Sequence, residues 1–290
     1  MILGETETAD NPLRGPSLTL NDLFRRHVQR RPNALALIDP LNRASFTRGS
    51  CHRLTYADAD RIVSARAVRL RVMGLPTDTV VGIQLPNIAE AFLATLAVLR
   101  AGMIVAVLPL LYRRTEAAAA LSRVGAKAII TCDRVGAFDH AQSAMNVAAD
   151  VFSIRYVCGF GENLPDGVAS FADLLTTDGP DPAPTETDRG RSNAAAHLAA
   201  ITFDVSQGGI VPVARSHAEL LAGGLAVLLE GGIAQDAVIQ STLAPSSFAA
   251  VPCASAVAPV QRYACVASSV RSADAHAANA RRAMRGAHRA

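Results

Sequence analysis

The first fifty residues carry one helical pattern followed by a short strand. Leu18–Arg31 repeats apolar residues at spacings of three and four, and Thr19 or Asn21 can cap the helix that this spacing predicts. Ala34–Asp39 is a short apolar run typical of a strand. The polar stretch Arg43–Arg53 is predicted to be a loop.

A strict alternation of helices and strands begins at Thr55. Asp58 follows three residues later, as in a capping box, and opens a predicted helix. The apolar face of that helix consists of Ala59, Val63, Ala67 and Leu70. Nearly continuous apolar runs predict strands at Thr79–Leu85, Met103–Leu108, Lys127–Thr131 and Ile154–Cys158. Helices are predicted at residues 87–100, 115–124 and 138–149. This order predicts an α/β fold with a parallel sheet covered on both faces.

The region after residue 177 contains the feature that bears most directly on function. Asp178–Asn193 is rich in Pro, Asp and Thr and is predicted to be a linker or surface loop. A strand is predicted at 198–203, a Gly-rich turn at 204–212 and a helix at 216–230, with a further strand at Val238–Ser241. A glycine-rich turn between a strand and a helix can cradle phosphate groups.

The composition changes near residue 250. Leucine and isoleucine are absent from 251–290, although the preceding chain is rich in both, and no period of 2 or 3.6 persists there. We therefore divide the chain into a flexible leader at 1–16, a folded region at 17–250 and an irregular basic tail at 251–290. Runs rich in Ala and Arg are also what an out-of-frame reading of a GC-rich gene produces, which is a hypothesis for the tail.

Charge and cysteine content exclude several classes of protein. The net charge of +3 arises in the tail, which holds six arginines and one acid and so contributes +5, leaving −2 for the rest. We therefore expect no nucleic-acid-binding face on the body. The five cysteines lack metal-ligand spacing, and the N-terminus lacks a signal peptide. Ala91–Leu111 is apolar but interrupted by Arg100 and Pro109, so no membrane span is predicted and a cytoplasmic protein is expected.

An ordered series of short motifs resembles the N-terminal region of adenylate-forming enzymes, the acyl-CoA synthetase and AMP-dependent ligase superfamily. The motifs are Thr55-Tyr56, Leu85-Pro86-Asn87, Leu96-Ala-Val-Leu-Arg-Ala-Gly102, Leu111-Tyr112 with Glu116, and Gly125-Ala-Lys-Ala-Ile-Ile130. The resemblance covers about residues 17–250 and implies an incomplete, layered N-terminal subdomain. It also implies ATP and Mg²⁺ as cofactors, with a carboxylic acid and coenzyme A as substrates.

The resemblance places the family's phosphate loop at Asp204–His217. The implied nucleotide-binding residues are Ser206, Gln207, Gly208, Gly209 and Arg215, and no catalytic or metal-binding residue is assigned. The loop departs from the family's Ser-Gly-Thr-Thr-Gly-x-Pro-Lys-Gly pattern at Asp204 (Ser), Val205 (Gly), Gln207 (Thr), Val211 (Lys) and Pro212 (Gly). Arg215 could reach back in place of the missing lysine. Lys127 is the only lysine in the chain.

Several other polar residues have simpler interpretations. His217 is predicted to cap or pack at a helix start, and Lys127 to be solvated or structural. Asp58 and Asp60 are interpreted as acids at a helix N-terminus, where the helix dipole favours them. His27 and His52 are predicted to lie in polar surroundings without partners.

Two functions from different classes remain open. The first is a truncated acyl-CoA synthetase-like protein, related to enzymes of fatty acid metabolism, whose degenerate loop leaves it inactive alone. The family's later motifs are missing before Ala290, so whether the chain is an enzyme stays open, and a partner chain could supply the missing half. The alternative is a non-catalytic module that binds an acyl ligand or a protein.

Overall fold

The computed structural model describes residues 18–171, 194–233, 238–247 and 262–265. Six helices are present in these residues: α1 (Leu20–Arg30), α2 (Tyr56–Val72), α3 (Ala89–Arg100), α4 (Arg114–Arg123), α5 (His140–Asp150) and α6 (His217–Glu230). The strands are β1 (Leu35–Ile38), β2 (Arg53–Thr55), β3 (Val80–Gln84), β4 (Ile104–Val107), β5 (Ala128–Cys132), β6 (Arg134–Val135), β7 (Phe138–Asp139), β8 (Tyr156–Phe160), β9 (Val168–Ser170), β10 (Leu198–Ser206), β11 (Gly209–Ser216), β12 (Val238–Ser241) and β13 (Arg262–Cys265).

A seven-stranded sheet forms the centre of the molecule. Its order is β11-β10-β4-β3-β5-β8-β9, and every neighbouring pair is parallel except β10 with β11. The strands β3, β4 and β5 are buried along almost their whole length, as continuous apolar runs in a parallel sheet should be. The prediction of an α/β fold with a parallel sheet is confirmed.

Helices cover both faces of this sheet. On one face, α2 and α3 pack against the odd-numbered side chains of β3 and β4, such as Val81 and Val105. On the other face, α4 and α5 pack against Ile104, Ala106 and Ile129. Because successive side chains of a strand point to opposite faces, one continuous run of apolar residues supplies both cores.

A second, smaller sheet lies outside α2 and α3. Its order is β12-β13-β1-β2, and Ala36 and Leu37 of β1 pack with the outer sides of those helices in a third apolar cluster. Strand β13 pairs in parallel with both β1 and β12. It lies within the stretch predicted to be an irregular tail; the rest of 251–290, the leader and Asp178–Asn193 lie outside the described residues.

Helix starts are fixed by side chains that the sequence indicated. Thr19 caps α1 and Thr55 caps α2, each through a reciprocal capping box with the acid three residues on. Ser216 caps α6 in the same way with Glu219. The φ angles of Gly102 and Gly125 are +76° and +61°, which is the left-handed conformation that ends α3 and α4.

The predicted turn at 204–212 is wrong. Residues 204–206 continue β10 and residues 209–212 belong to β11, so that only Gln207 and Gly208 connect the two strands. β-branched residues explain the difference, because Val205 and Val211 occupy positions where the family's loop has Gly and Lys. Pro212 fits because β11 is an edge strand, where a missing N–H costs no ladder hydrogen bond.

The described residues contain no helix long and apolar enough to cross a membrane. Cys51, Cys132 and Cys158 are free thiols.

Candidate functional site

The hairpin between β10 and β11 carries four of the five predicted nucleotide-binding residues at its tip. Ser206 and Gly209 pair across the turn, and all four tip residues, 206–209, are exposed. The Ser206 hydroxyl accepts a hydrogen bond from the Gly208 N–H (3.2 Å) and donates one to the Gly209 carbonyl (3.2 Å). Gly209 has φ +103°, which only glycine adopts without strain. The hydroxyl therefore stabilises the turn itself.

The fifth residue, Arg215, lies far from the tip. It pairs with Ala200 near the start of β10. It is six positions along β11 from Gly209, which corresponds to about 20 Å in an extended strand. Its guanidinium faces Glu219 of α6 (Nη1–Oε1 3.8 Å). The structure therefore does not bring Arg215 to the position of the missing lysine.

Lys127 lies outside the hairpin and precedes β5, at the amino end of that strand. The cation that approaches the tip is Arg123 at the end of α4, whose Nη2 lies 4.0 Å from the position that a Cβ would take at Gly209. Asp204 is exposed on the tip side of β10, opposite Val211. Among the described residues, the tip thus presents a carboxylate and two valines where the family has Ser, Gly and Lys.

His217 packs where the sequence indicated, at the start of α6. Its side chain is buried, and its Nδ1 accepts a hydrogen bond from the Leu20 N–H (3.3 Å). The contact joins the first turns of α1 and α6, which gives His217 a structural role.

A second region, a cleft of about 670 Å³, lies at the same edge of the sheet. It opens between β3 and β5, where Ile88 and Glu90 follow one strand and Cys132 ends the other. The helix after β3 covers one face of the sheet and the helix after β5 covers the other. Adjacent strands whose connections leave on opposite faces form a crevice, and α/β proteins commonly bind ligands there.

The wall of the cleft contains a buried network of charges centred on Arg43. Its Nη1 donates to Asp39 Oδ2 (2.5 Å) and Glu90 Oε2 (3.0 Å), and its Nη2 donates to Glu90 Oε1 (2.6 Å). His52 Nε2 lies 3.5 Å from Glu90 Oε1. Burial alone would raise the pKa of Glu90, but the hydrogen bond from His52 and the charge of Arg43 lower this pKa to about 2.

The structure corrects three sequence interpretations. His52 has a partner, Glu90, and His27 stacks on Tyr56 with ring centres 5.8 Å apart. Asp60 also does more than favour a helix dipole, because it pairs with Arg100 at 2.7 Å.

The donor atoms of Asp39, His52 and Glu90 lie within 4.8 Å of one another, which is a spacing that can hold a metal ion. Arg43, however, already donates to both carboxylates and occupies the space between them. The arrangement is therefore a salt-bridged cluster rather than a metal centre.

Arg66 of α2 lines the inner end of the cleft and differs from every other arginine of its wall. Its side chain is 0% exposed, and none of its three guanidinium nitrogens has a hydrogen-bond partner among the described residues. The guanidinium lies over the Phe160 ring in a cation–π contact, with Cζ 4.6 Å from the ring centre. Burial lowers the pKa of Arg66 to about 10, and the charge of Glu90 opposes that shift.

Cys132 also lines the cleft but is not reactive. Burial, with Asp133 and Glu90 nearby, raises the pKa of its thiol to about 12. The thiolate is the nucleophilic form, so Cys132 is inert near neutral pH.

The sequence contains an indication that Arg66 is buried, which the prediction of the helix did not use. Arg66 is three residues after Val63 and four before Leu70, which places a charged residue within the apolar stripe of α2. Glu90 stands similarly inside an apolar run. The network around Arg43 had no such signal, because it joins residues up to about fifty positions apart.

A comparison with family models matches residues 24–203 to the AMP-binding enzyme family, which is more than half of the chain. The match ends one residue before Asp204. Among curated proteins, 2-hydroxy-7-methoxy-5-methyl-1-naphthoate–CoA ligase of Streptomyces carzinostaticus is 34% identical over 119 residues, which are 40% of this chain and 21% of that ligase. Glycine betaine reductase ATRR of Emericella nidulans is 41% identical over 93 residues, which are 32% of this chain and 6% of that protein.

Solved structures show the same fold. MbtA of Mycobacterium smegmatis in its apo form superposes with a TM-score of 0.71 at 21% identity, covering 86% of this chain and 43% of MbtA. Acetoacetyl-CoA synthetase of Streptomyces lividans superposes with a TM-score of 0.70 at 18% identity, covering 89% of this chain and 40% of that synthetase. The chain thus spans less than half the length of these relatives.

Proposed function

The chain belongs to the AMP-binding enzyme family, and on that premise we propose that it is an acyl-CoA synthetase-like, adenylate-forming fold that does not activate a carboxylic acid by itself. ATP with Mg²⁺, a carboxylic acid and coenzyme A are the cofactors and substrates that family membership suggests. The chemistry of the hairpin tip argues against a fit of this chain's residues to the triphosphate.

The observation that carries the proposal is the chemistry of the hairpin tip. A phosphate-binding loop stabilises anionic oxygens with backbone N–H groups, hydroxyls and a cation. Here the Ser206 hydroxyl is engaged within the turn, and Asp204 adds a negative charge. The one lysine and Arg215 both lie away from the tip. The Arg123 guanidinium of α4 approaches Gly209, with Nη2 4.0 Å from the position that a Cβ would take there, but the tip's own residues supply one anion and no cation, which disfavours ATP.

The surface of α6 supports the idea that further polypeptide normally packs against this fold. Leu225 and Leu229, which lie four residues apart on one face of the helix, are 54% and 71% exposed. An exposed apolar pair of this kind is consistent with an interaction site. We propose that it meets the part of an adenylate-forming enzyme that the solved relatives contain beyond the shared region, supplied by a longer or a partner chain.

The test is ATP–pyrophosphate exchange by the full chain with a panel of carboxylic acids, where we expect no exchange above the protein-free control. Exchange by the wild-type chain would contradict the proposal. A loop-restored variant, Asp204→Ser/Val205→Gly/Val211→Lys/Pro212→Gly, should gain ATP affinity by calorimetry, by about tenfold if the new contacts stabilise the triphosphate by about 1.4 kcal/mol.

A control is Ala214→Lys, which places the added lysine on β11 away from the tip. It should leave ATP binding unchanged. If the loop-restored variant gains no more affinity than Ala214→Lys, the hairpin is not a degenerate phosphate site and the explanation of inactivity is wrong.

A further inference from the structure

The Arg66 guanidinium is the least satisfied polar group in the cleft. A guanidinium carries five N–H donors and remains charged at neutral pH. Removing such a charge from water costs several kcal/mol unless a counter-ion and hydrogen bonds replace the solvent. No described residue hydrogen-bonds to the Arg66 nitrogens. A stable fold that keeps this charge buried calls for an anion at the inner end of the cleft.

The neighbouring positive charges are already neutralised. Arg43 is bound between Asp39 and Glu90, and Arg48 faces Asp133 at 3.8 Å. Arg66 differs from both, because none of its guanidinium nitrogens hydrogen-bonds to a described residue and Glu90 acts on it through its charge alone. Arg66 therefore offers hydrogen-bond donors that the described residues do not use.

From these unused donors we propose that the cleft binds a small organic carboxylate, whose two oxygens pair with the Arg66 fork. Carboxylate geometry matches a guanidinium in a bidentate arrangement. A phosphate monoester would bring close to two negative charges. Glu90 and Glu162 also line the cleft, so their repulsion favours the monoanion.

The rest of the cleft accommodates the body of such a ligand. Phe160, Ile88, Leu164 and Val168 provide apolar wall next to the guanidinium. The volume of about 670 Å³ lies within the range of small-molecule sites. An aromatic or short aliphatic acid can therefore bury its chain against this wall while its carboxylate reaches Arg66.

This site is separate from the hairpin and does not rest on the proposed function. Three strands, β4, β3 and β5, lie between β10 and β8 in the sheet. The carboxyl ends of β10 and β8 therefore lie about 19 Å apart. Binding at Arg66 requires neither ATP nor the hairpin tip.

Isothermal titration calorimetry of the full chain tests the proposal with sodium benzoate and sodium hexanoate as probes. Benzamide and hexanamide are the neutral matched ligands, and inorganic phosphate is the dianion. We expect both carboxylates to bind the wild type, the amides not to bind, and phosphate to bind more weakly. Arg66→Met should weaken carboxylate binding about 10- to 100-fold, the effect of losing a charge-assisted hydrogen-bonded contact.

Arg69→Met is the control, because Arg69 is exposed one turn along the same helix and its loss changes the net charge equally. It should bind carboxylates as the wild type does. Arg66→Lys keeps the charge without the fork and should bind with intermediate affinity, so the proposal stays testable if Arg66→Met does not fold.

Three results would overturn the proposal. The first is that neither carboxylate binds the wild type. The second is that Arg66→Met and the wild type bind carboxylates equally. The third is that the amides bind as tightly as the acids, since binding would then depend on the apolar wall alone.

Discussion

The hairpin tip and the cleft lie at the same edge of one sheet but hold their polar groups in opposite ways. At the tip, Ser206 satisfies its hydroxyl within the turn and every side chain is exposed to water. In the cleft, Arg66 is fully buried with its nitrogens unsatisfied by the described residues. Exposed polar groups cost little to keep, whereas a buried charge is retained only with a counter-charge.

The comparison teaches that resemblance to a binding motif and capacity to bind are different properties. The hairpin has the family's position in the chain but lacks the family's lysine. The cleft has no recognised motif, yet it combines concavity, an apolar wall and a guanidinium whose hydrogen-bond donors no described residue uses. Local physical chemistry therefore points to the cleft as the better candidate for a ligand.

The strongest test of the difference between the cleft and the hairpin tip is to replace Arg43 in the cleft wall. Arg43→Met leaves Asp39 and Glu90 buried without their cation, and we expect a loss of about 3–5 kcal/mol in the free energy of unfolding. Chemical denaturation followed by circular dichroism measures the change.

The control is Arg61→Met, which breaks the exposed Arg61–Asp58 pair and should cost less than about 1 kcal/mol. The double variant Arg43→Met/Glu90→Met should recover part of the lost free energy of unfolding, because it removes one of the two carboxylates that Arg43→Met leaves without a cation. Equal stability of the two single variants would mean that the cleft wall is no more dependent on charge pairing than the surface.

Acid pH provides a second test of the same network. The pKa of Glu90 is lowered from 4.5 to about 2 in the folded state, so its contribution is present above pH 4.5 and is lost as the pH falls toward 2. Stability of the wild type should therefore fall by up to a few kcal/mol across this window, at about 1.4 kcal/mol per pKa unit.

Denaturation curves at pH 5, 4, 3 and 2 measure this fall, with Glu90→Gln as the comparison. The variant lacks the titrating group, so its stability should change less over the same window. If the stability of the wild type and of Glu90→Gln falls equally with pH, Glu90 is not the group responsible for the acid-induced loss of stability.

The smallest effect is expected at the hairpin tip. Gly209→Ala forces a side chain into φ +103°, and we expect a cost of about 1–2 kcal/mol. Gly208→Ala, at the neighbouring position without a positive φ, should cost less.

Thermal denaturation of the two variants measures the difference. Since the tip is exposed and contributes no core contact, neither substitution should alter carboxylate binding in the cleft. A larger loss from Gly208→Ala would contradict the conformation of the turn.

The order of elements was predictable because it depends on local pattern. Apolar runs bounded by glycine and proline located β3, β4, β5 and β8 to within a few residues, and Thr19 and Thr55 located two helix starts. The hairpin was misassigned because resemblance to a phosphate loop outweighed the β propensity of Val205 and Val211.

By itself the sequence determined the family, the parallel sheet and the absence of a lysine near the hairpin, since each depends on residues in order along the chain. Only the tertiary structure decided that Arg215 lies far from the tip, that Arg43 pairs with Glu90 forty-seven positions away, and that the Arg66 nitrogens have no hydrogen-bond partner among the described residues. The reason is physical. A charge's state depends on the groups around it in space, and folding brings those groups together from distant parts of the chain.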